Sequence, residues 1–255
     1  MRIIKAWVGS HANEKEARKL GASLEQHPVR GVKYGIVNLL GCILEQRWID
    51  ENITGAYPGN PHASTYEKRR AYHVVQESQG FYTTIDIHNI NCFGENTAII
   101  DQDNGVSPLI LGWLYGLGIR NLILTHKAGI HGFVPNSFAM EILASELGRD
   151  IPVLREALYQ LANSSTLPLA RVTDFRWFKF YGSVHVTQFH PDHLSLDQRT
   201  ELRGFGLIPQ VVANALPPTN APIHFLGGDY TPNEKGYWAD LVTPITTPDD
   251  TNWPK

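Results

Sequence analysis

The sequence predicts an α/β fold: a mostly parallel (mixed) sheet with helices on both faces, followed by a small β-rich C-terminal domain. Three observations lead there. Short apolar or β-branched runs alternate with amphipathic helical stretches, the signature of parallel strands joined by crossover helices. With 42% hydrophobic and 18% charged residues over 255 positions, the chain can bury a sizeable core, and disorder is excluded. Near Ser164 the composition shifts to Pro, Phe, Trp and Tyr with no long amphipathic helix. This places an α/β domain at 1–164 and the β-rich domain at 165–255.

The elements follow in order. Ile3 to Val8 is apolar and bounded by Gly9, as a buried strand is. From Asn13 to about Gln26, Ala17, Leu20 and Leu24 share one helical face. Val32 to Leu39 reads as a second strand, and Asn52 to Ser64 as a loop rich in Gly, Pro and Asn. Thr65 to Gln79 is helical, stopped by Gly80. Phe81 to Ile87 is β-branched and aromatic, a strand; Pro108 to Gly116 is a short helix, and Asn121 to Thr125 another strand. Ser137 to Leu147 and Val153 to Ala162 are assigned as helices.

Several function classes are excluded. The formal net charge is −3, with 22 basic and 25 acidic residues and no basic block, so nucleic acid is not expected as a partner. No apolar run approaches the roughly 20 residues of a membrane span, and the N-terminus has no apolar signal segment. The two cysteines, Cys42 and Cys92, form no CxxC pair and read as reduced thiols. A cytoplasmic protein without membrane attachment is expected.

The residues that carry chemistry are His11 and Glu14, a His-x-x-Glu where the first strand gives way to a helix, and His88 at the end of another strand. Ligands collect at the carboxyl ends of strands in open parallel sheets. Two imidazoles and one carboxylate make the ligand set of a catalytic zinc ion and leave one position for water. Zinc lowers the pKa of that water to about 7. A lone His-x-x-Glu is frequent by chance, and a lone His88 fits a core histidine equally well. Asp86 reads either as an orienting partner of a ligand or as a sheet-end cap.

The run Gly9-Ser10-His11-Ala12-Asn13-Glu14, followed much later by Thr84-Ile85-Asp86-Ile87-His88-Asn89, resembles the aspartoacylase and succinylglutamate desuccinylase family, whose fold is zinc carboxypeptidase-like. Further stretches agree: Asn38 with Arg47-Trp48-Ile49-Asp50, Tyr57-Pro58-Gly59, Ala128 to Gly132, Pro135 to Ser137 with Glu141, Leu226 to Asp229, and Asn233-Glu234 with Tyr237. The resemblance implies one zinc ion per chain on His11, Glu14 and His88. It implies hydrolysis of the amide bond of a small N-acyl amino acid by water at the metal, with Arg47, Asn52, Thr54 and Asn89 as substrate-binding positions. A homo-oligomer is compatible with it.

Two departures stand out. The family's general-base glutamate falls on Lys127, and a lysine at its ordinary pKa of about 10.4 is no base at neutral pH. A shifted lysine, a cationic role, or another base (His126, His131, Glu95 or Glu141) remain open, as does a catalytically impaired zinc-binding homologue. The family's Asp-x-Asn-Arg motif falls on Asn52, Thr54 and Gly55, so its arginine fork is missing. A metallocarboxypeptidase shares the ligand set and is a further reading. His62, His185, His190 and His193 read as loop or surface residues, with a second metal site at His190-Pro191-Asp192-His193 the alternative.

Overall fold

The computed structural model describes residues 1–90, 93–186, 195–196, 207–208, 223–231 and 236–245. The strands are β1 (Ile4–Val8), β2 (Val32–Ile36), β3 (Thr83–Ile90), β4 (Phe93–Gly94), β5 (Thr97–Asp101), β6 (Asn121–Thr125), β7 (Ser137–Leu143), β8 (Arg176–Val186), β9 (Ser195–Leu196), β10 (Leu207–Ile208), β11 (Ile223–Thr231) and β12 (Gly236–Ile245). The helices are α1 (Lys15–Gln26), α2 (Leu39–Leu44), α3 (Ile53–Ala56), α4 (Tyr66–Glu77), α5 (Pro108–Gly116), α6 (Ala144–Arg149) and α7 (Ile151–Asn163). None is long and apolar enough to cross a membrane.

The strands form one sheet in the order β2-β1-β3-β7-β5-β6-β8-β12-β11-β4. β2, β1, β3 and β7 run parallel, β5 is antiparallel to β7, and β6 and β8 run parallel to β5. The expected mixed sheet with helices on both faces is therefore present. β8 serves three partners: Arg176–Lys179 pairs with β6, Trp177–Val186 lies against β12, and His185 and Val186 pair with β10.

Strand alternation sorts the side chains. Ile4, Ala6, Val8, Ile85, Ile87, Ala98, Ile100, Phe138, Met140 and Ile142 all enter the main core. That core is closed by Ala17, Leu20 and Leu24 of α1, by α5, and by Leu154, Leu158 and Leu161 of α7. Burying one such Leu, Ile or Phe stabilises the fold by about 1.5–3 kcal/mol. The opposite face carries a second cluster of Trp7, Val37, Ile53, Ala71, Val74, Ile130 and Val134 beneath α3 and α4. That face also carries the polar residues Asp86, His88 and Glu141.

Three expectations need correction. Ser137 to Leu147 is not one helix: Ser137–Leu143 is the central strand β7, and only Ala144–Arg149 is helical. Its Ala, Met, Glu and Leu favour helix, but Phe138, Met140 and Ile142 alternate into the core between β3 and β5, and that packing overrides propensity. The second strand ends at Ile36, because the Asn38 side chain accepts the Gly41 N–H at 3.0 Å and starts α2. The stretch Asn52 to Ser64 is not all loop, because Asn52 accepts the Thr54 N–H and starts the short helix α3.

Candidate metal centre

His11 lies in the turn after β1, and Glu14 caps α1 without a capping side-chain bond of its own. The first turn of that helix is held instead by Asn89, whose Oδ1 accepts the Ala17 N–H at 3.0 Å. Neighbouring residues on a strand point to opposite faces, so Asn89 turns to α1 while His88 turns to the turn that bears His11. Asn89 thus anchors the helix and is not on the face expected of a substrate-binding residue.

His11, Glu14 and His88 converge: one ligand atom from each lies within 4.8 Å of the others, and all three residues are buried. Among the described residues no other group of His, Cys, Asp or Glu does this. Glu14 Oε1 is 2.7 Å from His11 Nδ1 and 2.8 Å from His88 Nδ1. Each ring has an oxygen behind it: Asp86 Oδ2 is 3.0 Å from His88 Nε2, and Asn52 Oδ1 is 3.0 Å from His11 Nε2. Asp86 accepts in turn from the Ser10 hydroxyl at 3.1 Å. With Nε2 of each ring as the donor, both Nδ1 lone pairs face one carboxylate oxygen. Lone pairs so arranged need a cation among them, either protons or a metal ion. Burial disfavours the Glu14 carboxylate, yet His88 and His11 hold its pKa far below the usual carboxylate range. Burial likewise works against a charged His88, but Asp86, Glu14 and Glu141 raise its pKa well above the ordinary value. Two nitrogens and one oxygen, convergent and backed by acceptors, are a donor set that fits zinc.

Glu141 is a further acidic residue next to this set, besides Asp86. In the parallel pairing of β3 and β7 it is the direct register partner of His88. Side-by-side residues on parallel strands share a face, so its carboxyl stands beside the donors. The helix expected over this segment hid that relationship.

Lys127 is not brought to the donors. β6 runs opposite to β3 and β7, so its carboxyl end lies at the other edge of the sheet. Asn121, not Thr125, shares the row of Thr97, Glu141 and His88. Four residues along and three strands across separate Thr125 from His88, about 13 Å and 14 Å respectively. The Lys127 N–H is tied at that edge by Asp101 Oδ2 at 2.6 Å, with φ at 50°, and the residue is exposed.

The chain then folds back over the site face. His131 is buried, its Nε2 is 3.0 Å from Thr125 Oγ1, and its buried Nδ1 has no hydrogen-bond partner in the protein. Burial lowers its pKa to about 4, with Asp86 and Asp101 opposing. Gly129 makes room for the ring: at φ 58°, a Cβ there would sit 2.8 Å from His131 Cε1.

The other candidates are dispersed. Arg47 lies over the Trp48 ring at 5.5 Å. Thr54 donates both its N–H and its hydroxyl to Asn52 Oδ1. Glu95 bonds Asn121 and Arg176. His126 is exposed beside Asp103 and Gln102, and His62 sits in an exposed loop. His185 lies on β8; Cys92, His190, Pro191, Asp192, His193, Asn233 and Glu234 fall outside the described residues.

The roles of two contributors escaped sequence reading. Glu67 is fully buried and accepts the N–H groups of Ile49, Asp50 and Glu51, fixing the segment that leads to Asn52. Tyr57 is buried with its hydroxyl lacking a protein partner; burial, and then Asp86, push its pKa well up. Glu67 has no motif that marks it, and Tyr57 stands in the Tyr57-Pro58-Gly59 run of the resemblance, which gives it no role in the site.

No protein-family model matches the chain, and no curated protein matches it. Solved structures do. Succinylglutamate desuccinylase from Chromobacterium violaceum aligns at a TM-score of 0.67 and 16% identity, covering 97% of this chain and 86% of that one. Murine aminoacylase 3 aligns at 0.60 and 13%, covering 97% of each. An aspartoacylase family protein from Mesorhizobium loti aligns at 0.52 and 12%, covering 96% and 86%. Across nearly its whole length the chain has the fold of succinylglutamate desuccinylase and aspartoacylase family structures.

Proposed function

We propose that the chain is a zinc-dependent amidohydrolase that removes the acyl group from a small N-acyl amino acid or related amide. The observation that carries this reading is the convergence of three buried donors, from His11, Glu14 and His88, beside the carboxyl of Glu141. The names of the solved structures that share the fold, desuccinylase and aminoacylase, describe acyl removal and agree with it. His11, Glu14 and His88 hold the ion. When bound, zinc supplies Lewis-acid polarisation of the amide carbonyl and makes water acidic enough to attack near pH 7.

The chain's own residues do the rest. The Glu141 carboxylate accepts a proton from the attacking water and returns it to the amine nitrogen as the carbon–nitrogen bond breaks. Asp86 keeps His88 in the tautomer that offers Nδ1. Arg47, which lies over the Trp48 ring, is the cation offered to a substrate carboxylate. With Gly55 in α3 beyond it, no second arginine stands there, so the substrate differs from one gripped by a two-arginine clamp. Glu141 beside His88 weighs against a catalytically impaired homologue, because a base does not have to be sought at Lys127.

Elemental analysis of the purified protein, with a screen of N-acyl amino acids before and after chelation, tests the reading. Stoichiometric zinc and metal-dependent release of an acyl acid are expected, both lost in His11→Ala. A protein that holds no zinc, or turns over no member of the screen, overturns it; release of a C-terminal amino acid from peptides points to a carboxypeptidase instead.

A further inference from the structure

The two imidazoles of the donor set are backed by unlike groups. Behind His88 stands Asp86, a buried carboxylate. Behind His11 stands the Asn52 side chain, a neutral amide, at 3.0 Å. The same amide atom also meets the Thr54 N–H at 3.1 Å and the Thr54 hydroxyl at 2.9 Å. A backbone N–H can only donate, so that atom is the oxygen, and His11 Nε2 must carry the proton that faces it. His11 Nδ1 is then the lone-pair side, 2.7 Å from Glu14 Oε1.

We propose that Asn52 is the positioning residue of the metal centre. It selects the His11 tautomer with a bare Nδ1, and as an amide it keeps a further negative charge away from the ion. This rests on the metal reading above. Glu14 and Asp86, each 2% exposed, carry one negative charge apiece and balance a divalent cation between them. A carboxylate at position 52 adds another charge behind His11, strengthens that ring as a donor, and holds the ion more tightly while blunting its pull on a carbonyl. The acceptor's place is set by backbone: Asn52 caps α3, and the preceding residues 49–51 are pinned by Glu67.

The test measures the zinc dissociation constant by chelator competition, and the visible spectrum of the cobalt form, for the natural protein, Asn52→Ser and Asn52→Asp. Serine keeps a cap for the Thr54 N–H but is one carbon too short to reach His11, so it separates positioning from capping. Asn52→Ser is expected to weaken zinc binding by about 10- to 100-fold and to shift the cobalt bands, with the thermal midpoint of the metal-free protein unchanged. Asn52→Asp is expected to bind more tightly than the natural protein. Equal zinc affinity in Asn52→Ser, or weakening in Asn52→Asp as large as in Asn52→Ser, overturns the role of Asn52 alone. A natural protein that binds no zinc overturns this proposal together with the metal reading.

Discussion

Glu141 on β7 and His88 on β3 are register partners in a parallel pairing, and they face the same side of the sheet. That relationship joins a candidate base to a candidate metal ligand through backbone hydrogen bonds, without depending on a loop. Sites built on strands hold their geometry better than sites on loops.

Glu141→Gln keeps the shape of the side chain and removes its capacity to take a proton. The expected result is a fall in kcat of about 10²- to 10⁴-fold with zinc content unchanged, measured by steady-state kinetics and elemental analysis on the same sample. Full activity in this variant moves the base elsewhere.

How far the sequence reveals this site depends on the kind of signal each residue leaves. His11 and Glu14 are three apart and His88 follows a β-branched run, so local spacing and strand pattern locate them. Glu141 leaves no such trace, because its position beside His88 exists only once β3 and β7 pair. Lys127 misleads for the converse reason: it follows a strand, and strand ends suggest a site, but the reversal of β5 relative to β7 puts that end on the far edge. Direction within a mixed sheet is a long-range property, and strand propensity carries no record of it.

Glu67 shows the same limit in the packing. The carboxyl oxygens of this fully buried side chain accept three consecutive N–H groups, of Ile49, Asp50 and Glu51, which are themselves only part-buried. Glu67→Ala strands these donors and is expected to cost about 3 kcal/mol or more. Glu67→Gln, with one oxygen left, should cost less. Urea midpoints give the order, and an alanine variant as stable as the natural chain refutes the account. Because residue 52 follows directly, the alanine variant should also bind zinc more weakly.

Lys127 holds a left-handed backbone at φ 50°, a conformation that costs a non-glycine residue about 1–2 kcal/mol, with its N–H held by Asp101. Glycine adopts it freely but loses about 0.5–1 kcal/mol through the greater freedom of the unfolded chain. Lys127→Gly is therefore expected to gain roughly 0.5 kcal/mol and to leave kcat unaltered. A raised thermal midpoint with natural kinetics supports the placement of this residue away from the chemistry; a collapse in kcat contradicts it.

His131 makes stability depend on pH in a predictable direction. In the folded chain burial keeps it neutral down to a pKa of about 4; in the unfolded chain an imidazole takes up its proton near 6.5. Between those values the unfolded chain binds more protons, so stability falls as pH falls, and the contribution of the neutral ring is fully present above 6.5. From pH 7 to pH 5 the loss is roughly 2 kcal/mol. Glutamine cannot titrate, so metal-free His131→Gln should lose less stability over that interval than the metal-free natural protein, by about that amount. Titrating groups that do not interact with His131 are common to both proteins and cancel in the difference. Identical pH slopes in urea unfolding would mean that the imidazole is solvated in the folded state, and that the 3.0 Å contact with Thr125 does not seal it from water.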